Sequence, residues 1–211
     1  MSENGCMSVR ALIFDFGGVI VRTEDQTGRL RAAARLGVAP EELYHEVFDS
    51  PVAALATIGQ APAEAVWAYV AERFRLDATG LAALRADFWA GDRRDDALVA
   101  FIRSLRPAFR TGILSNAWSD GRAIIAGHFG LQDVVDDIVI SAEVGIAKPD
   151  ARIFALAAAR LGVAPGEVLF VDDFLHNVEG ARAAGFQAVH FKNREQAIAE
   201  VRERVEVRRE T

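Results

Sequence analysis

A single cysteine, Cys6, lies in a polar segment near the start of this 211-residue chain. It leaves no partner for a disulfide framework and no thiolate cluster for a metal, and points to a reducing compartment. No stretch approaches the ~18 consecutive apolar residues of a membrane span. Residues 1–8 lack a basic segment followed by an apolar one, so no signal peptide is expected and a cytoplasmic location is. Positive charge is in deficit: 24 Lys and Arg face 30 Asp and Glu, a net charge of -6. That balance argues against nucleic acid or an anionic membrane as partner, but a local site can still bind a small anion. Repeats and low-complexity linkers are also missing. The remaining composition, 51% hydrophobic and 26% charged, is that of a globular protein with one domain, or one domain carrying an insertion. No exposed apolar stripe stands out, so monomer and homodimer are both compatible with the sequence.

The stretch over 11–21, Ala-Leu-Ile-Phe-Asp-Phe-Gly-Gly-Val-Ile-Val, organises the rest. Its apolar run reads as a strand buried on both faces, with Asp15 at its tip and Gly17-Gly18 permitting a sharp turn. From 22 to 95 the apolar residues recur at helical spacing, predicting helices over 27–36, from 40, over 62–73 and over 81–90, with no strand. From 96 onward, strands and helices alternate. Helices are predicted over 96–105, 120–128, 150–161 and 177–184, and strands over 110–115, 134–141, 168–171 and 187–191. A charged amphipathic helix is predicted over 195–211, fraying at its end. This alternation implies an α/β, doubly wound parallel sheet. Residues 1–21 and 96–211 would form it, and 22–95 would be an inserted all-helical block.

Polar groups fall at four strand ends. Asp15 ends the first and Ser115-Asn116 the second, while Lys148-Pro149-Asp150 follows an apolar loop and Asp172-Asp173 ends a buried Val-Leu-Phe-Val run. A Ser or Asn after a strand is more often a helix cap, and a loop lysine is usually solvated. Adjacent carboxylates at a buried strand end repel, however, and call for a cation, most simply a hard divalent ion. Together the set suits phosphoryl transfer: carboxylates for Mg2+, a lysine against anionic charge, and a hydroxyl with backbone N–H groups for phosphoryl oxygens. One carboxylate could attack phosphorus.

These motifs resemble the haloacid dehalogenase-like (HAD) hydrolases, of the phosphatase type with a small helical cap inserted after the first strand of a Rossmann-like core. The resemblance rests on Phe14-Asp15-Phe16-Gly17-Gly18-Val19, Leu114-Ser115-Asn116, Val144-Gly145-Ile146-Ala147-Lys148-Pro149-Asp150, and Phe170-Val171-Asp172-Asp173 with Asn177-Val178-Glu179-Gly180-Ala181. It implies Asp15 as nucleophile and Mg2+ ligand, with the carbonyl of Gly17 facing the metal. Ser115 and the Asn116 amide would bind phosphoryl oxygens, and Lys148 would neutralise charge between nucleophile and phosphoryl group. Asp173 would ligate the metal directly and Asp172 through water. The implied substrate is a small phosphorylated metabolite, such as a sugar phosphate. In the family's phosphatases a second Asp usually stands two residues after the nucleophile as general acid and base; here that position is Gly17. Such a group is typically worth ~10²–10⁴ in rate. Its absence favours a good leaving group, such as a sugar 1-phosphate, or a replacement among Glu24, Asp25, Asp120 and His176. Two alternatives follow: a 2-haloacid dehalogenase, which the paired acids disfavour, and a non-catalytic binding or regulatory protein, which Gly17 favours.

Overall fold

A computed structural model describes residues 8–206; Cys6 and the expected helix end over 207–211 lie outside them. The chain begins with β1 (Ala11–Phe14), followed by the short strand β2 (Val21–Thr23). Five helices come next: α1 (Thr27–Leu36), α2 (Pro40–Phe48), α3 (Pro51–Thr57), α4 (Ala63–Arg73) and α5 (Ala78–Trp89). Then β3 (Asp92–Arg94), α6 (Asp96–Ser104), β4 (Arg110–Ser115), a π-helical stretch (Ala123–His128), β5 (Asp137–Ile140) and α7 (Ser141–Val144) follow. The chain continues with α8 (Ala151–Leu161), β6 (Val168–Asp172), α9 (Leu175–Ala183), β7 (Gln187–His190) and α10 (Arg194–Glu206). No helix among the described residues is long and apolar enough to cross a membrane.

Five strands form one parallel sheet in the order β5-β4-β1-β6-β7. Burial of alternate residues on opposite faces explains why the strands read as unbroken apolar runs. Leu12, Phe14, Leu169 and Val171 point into one core with α6 and α10, while Ala11, Ile13, Val168 and Phe170 point into the other with α8 and α9. The predicted doubly wound sheet is therefore present. The chain leaves β1 toward β4 and β5, then returns to β6 on the other side, so the strand order reverses beside β1. Ligands bind outside the carboxyl ends of strands at such a reversal.

Between β2 and β3 the helices bury a core of their own, Leu43, Val47, Trp67, Val70, Leu84 and Phe88 among them. Pro40 occupies the first turn of α2 and Gly37 ends α1 at φ 70. The expectation that 22–95 holds no strand is corrected here: β2 and β3 pair antiparallel, Val21 with Arg94 and Thr23 with Asp92. Three-residue strands with Asp92, Arg93 and Arg94 on one side carry no apolar alternation, so the pairing is set by cross-strand contacts such as Thr23 Oγ1 to Asp92 at 2.5 Å. The sequence reading also assigns no helix to 51–57. There Ser50 accepts from the Ala53 N–H at 3.3 Å and Pro51 starts α3. The strand expected over 134–141 shortens to β5, and the helix expected over 120–128 is the π-helical stretch.

Phe170 lies fully buried with its ring 5.5 Å from Phe154. Phe170→Ala is expected to lower the free energy of unfolding by about 3–5 kcal/mol in a urea titration; a loss under about 1 kcal/mol would contradict this packing.

Candidate active site

The sheet register pairs Phe14 with both Val171 and Ile113. Asp15 and Asp172 thus leave neighbouring strand ends side by side, with Ser115 at the end of β4. The Asp15 N–H continues the ladder to Val171 O at 2.8 Å. Beyond it the chain doubles back, with the N–H groups of Ile20 and Val21 both donating to Phe16 O at 2.9 Å. Lys148, carried in by the loop before α8, is 4% exposed and sits between two carboxylates, 2.8 Å from Asp15 Oδ1 and 2.7 Å from Asp172 Oδ2. Asp15, Asp172 and Asp173 offer carboxylate oxygens all within 4.8 Å of one another. Of the residues singled out in the sequence, then, Asp15, Lys148, Asp172 and Asp173 form one cluster.

The two adjacent acids differ in what holds them. Asp172 is held from several sides: besides Lys148 it accepts from Phe174 N–H at 2.8 Å and from Asn177 Nδ2 at 3.1 Å to each oxygen. Asp173 has a buried Oδ1 with no hydrogen-bond partner. It is admitted by Gly18, which lies at φ +83 and where a Cβ would come within 2.1 Å of Asp173 Oδ2. Three carboxylates around one ammonium leave a negative excess in a desolvated place. Burial pushes Asp15 up to about 7 against the pull of Lys148, with Asp172 adding to the rise. Burial, and then Asp172, push Asp173 up to about 6. For Lys148, burial acts downward, but Asp15 and Asp172 hold it above its ordinary value. An orphaned hard oxygen and uncompensated charge at one point fit a divalent cation.

Asn116 proves to be a brace. Its side chain donates to Lys148 O at 3.0 Å and accepts from Lys148 N at 2.9 Å, leaving its backbone N–H as the group free to meet a ligand beside the buried Ser115. Further along the same loop, Ser141 Oγ ties Ala117 N at 3.0 Å, and Ser119 Oγ accepts from Ala63 N at 3.0 Å at the start of α4. Asn177 carried no assigned role in the sequence reading. Its signal is its place five residues after Asp172, where the first turn of α9 returns to the strand end.

Gly17 is exposed at an ordinary φ, and a Cβ built on it meets nothing within 4 Å. Of the four candidate replacement acids, Asp120 accepts at its backbone carbonyl from Ile124 N–H at 3.1 Å, and the other three have partners other than Asp15. Asp25 accepts from Thr27 N at 2.9 Å, and its pKa is lowered by hydrogen bonding from the Thr27 side chain and then the Thr27 backbone; Glu24 lies 3.7 Å from Arg22; the exposed His176 packs on Phe174. Above the site, Tyr44, Phe48, Trp67, Phe88, Trp89 and Trp118 form one aromatic cluster with centroid spacings of 4.7–6.3 Å. Burial raises the pKa of Tyr44; Arg29 opposes this, and Asp49 and Asp173 add to it. A cleft of about 310 Å³ lined by Arg10, Pro107, Arg110 and Gly162 lies at the opposite, amino-terminal end of the strands, away from this chemistry.

A carboxylate-rich centre lies at the strand ends of a doubly wound sheet, and comparison with known proteins gives its class and family. The family model for haloacid dehalogenase-like hydrolases matches residues 9–185, and the chain belongs to that family. It is 33% identical to a phosphoserine phosphatase of Thermus thermophilus over 198 residues, 74% of this chain and 73% of that one. It is 37% identical to a phosphatase of Mycobacterium tuberculosis over 95 residues, 44% of this chain and 43% of that one. Among solved structures, a HAD-family enzyme of Bacteroides thetaiotaomicron, complexed with magnesium and inorganic phosphate, superposes with a TM-score of 0.73. That match has 18% identity and covers 88% of this chain and 95% of that one, which establishes the shared fold.

Lys148→Met would leave Asp15 and Asp172 facing each other, buried and without their cation. Urea unfolding at neutral pH is expected to show a loss of about 3–5 kcal/mol; stability equal to wild type would mean that the ion pairs carry no weight.

Proposed function

We propose that the protein is a Mg2+-dependent phosphomonoesterase of small organic phosphates that works through an aspartyl phosphate on Asp15. The observation that carries this reading is the buried cluster of Asp15, Asp172 and Asp173 around Lys148, with the unpartnered Asp173 oxygen beside it. The phosphoserine phosphatase relative supports a phosphate ester as substrate, and the magnesium and phosphate held by the Bacteroides enzyme support the metal. Asp15, Asp173 and the Gly17 carbonyl would hold the ion, with Asp172 acting through water. Magnesium, when bound, supplies the charge that offsets the carboxylates and the phosphoryl group.

In the first step an Asp15 oxygen attacks phosphorus. The ester P–O bond breaks, and the leaving oxygen departs with the bonding pair. Lys148 holds Asp15 in line and offsets charge, while Ser115 and the Asn116 N–H receive phosphoryl oxygens. Water then attacks the phosphorus of the aspartyl phosphate, the bond to Asp15 breaks, and inorganic phosphate leaves as a proton passes to solvent. The helices over 22–95 act as a cap that excludes bulk water, set on a core of 1–21 and 96–211.

Asp15→Asn is expected to cut Mg2+-dependent phosphate release from a panel of phosphorylated metabolites by at least about 10³-fold, and chelation should abolish the wild-type activity reversibly. Chloride release from 2-chloroacids without metal would instead favour the dehalogenase reading, and absence of turnover across the panel the binding-protein reading. Gly17 supplies a second test, because the space there accepts a side chain. Gly17→Asp is expected to raise the rate on alkyl phosphates by about 10²-fold or more while changing good leaving groups little. Plotting kcat/KM against leaving-group pKa should give a steeper line for wild type than for the variant; equal slopes would mean that another residue already supplies the proton.

A further inference from the structure

Four partly exposed rings join without a break on the side of the helical block that meets the site. Tyr44 stacks 4.7 Å from Phe48, and Phe48 lies 5.8 Å from both Trp89 and Trp118. Tyr44 is 36% and Trp89 39% exposed. Trp118 anchors this face beside the site, standing three residues past Ser115 in the loop that leaves the end of β4. Contiguous aromatic surface of this kind is uncommon unless something covers it. The cation packed against Tyr44, Arg29, is already engaged by Asp92 at 3.3 Å and by Phe88 O at 3.1 Å, and Lys148 is enclosed between carboxylates. Gly17, meanwhile, offers no proton to a departing oxygen. A leaving oxygen on an aromatic or anomeric carbon suits that lack, since a phenol-like oxygen of pKa ~10, and to a lesser degree an anomeric one, departs unprotonated more readily than an alkoxide.

We propose, building on the phosphomonoesterase reading, that the substrate bears its phosphate on a phenolic or anomeric oxygen, and that the ring carrying it rests on Tyr44, Phe48, Trp89 and Trp118. The ring is either an aryl group or the anomeric end of a pyranose, whose apolar face stacks on the same surface. Trp89 and Phe48 are the specificity-determining residues of this arrangement.

The test compares kcat/KM for phenyl phosphate, a hexose 1-phosphate, the matching hexose 6-phosphate, phosphoserine and acetyl phosphate, the last having a good leaving group but no ring. Phenyl phosphate or the hexose 1-phosphate is expected to exceed the hexose 6-phosphate and phosphoserine by about 10²-fold, the better of the two naming the ring. Trp89→Ala is expected to lower the ratio of the ring substrate to acetyl phosphate by about tenfold, chiefly through KM, and Trp89→Phe to restore most of it. An unchanged ratio in Trp89→Ala, or phosphoserine equalling the ring substrates, would overturn the proposal. If wild type hydrolyses none of the five compounds, the phosphomonoesterase reading itself fails and takes this inference with it.

Discussion

Everything at the carboxyl end of this sheet depends on one buried ammonium. Lys148 bridges Asp15 and Asp172 across the ends of β1 and β6 with contacts of 2.8 and 2.7 Å. A buried ion pair is tolerated only when its geometry is good and its other polar atoms are satisfied. The surrounding residues meet that demand. Asn116 fixes the lysine backbone from both sides, Asn177 and the Phe174 N–H fix Asp172, and Gly18 makes room for Asp173. The remaining imbalance, three acids to one base, is concentrated at the unpartnered oxygen of Asp173. The proposed cation there and the proposed anionic substrate against Lys148 would be two sides of the same charge distribution. The net charge of -6 on the whole chain is irrelevant at this range.

Much of the fold was legible because parallel strands buried on both faces have no choice but to be apolar throughout. Residues 11–14, 110–115 and 168–171 announced themselves in that way. Gly37 and Gly162, both at φ 70, marked helix ends. The pair β2 and β3 was not legible, since a three-residue ribbon has too few positions to show a period and its strength lies in side-chain contacts between distant residues. Helix α3 carried a start signal in Ser50-Pro51 but only seven residues of body. The π-helical stretch over Ala123–His128 keeps the composition of an α-helix and differs only in its hydrogen bonding.

The site was legible in its charged members, because Asp15, Lys148, Asp172 and Asp173 end apolar runs where charge has no structural excuse. Sequence said less about the neutral residues that hold them. An asparagine after a strand can cap, bind or brace, and only the contacts of Asn116 with both sides of Lys148 settle which its side chain does here. Gly17 read first as turn chemistry, yet its φ is ordinary and its surroundings are open. Its glycine identity is therefore not demanded by the turn, in contrast to Gly18 next to it. Tyr44 gave no signal at all, since an aromatic on a helix has no periodicity that distinguishes a site from a core.

The aromatic cluster has a spectroscopic consequence. The chain contains three tryptophans, and all three, Trp67, Trp89 and Trp118, stand within one set of ring contacts, at 6.2 and 6.3 Å from Trp67. The five-stranded sheet contributes none. Intrinsic fluorescence of this protein is therefore a local gauge of the helices and of the loop that follows β4, while the sheet below is dark.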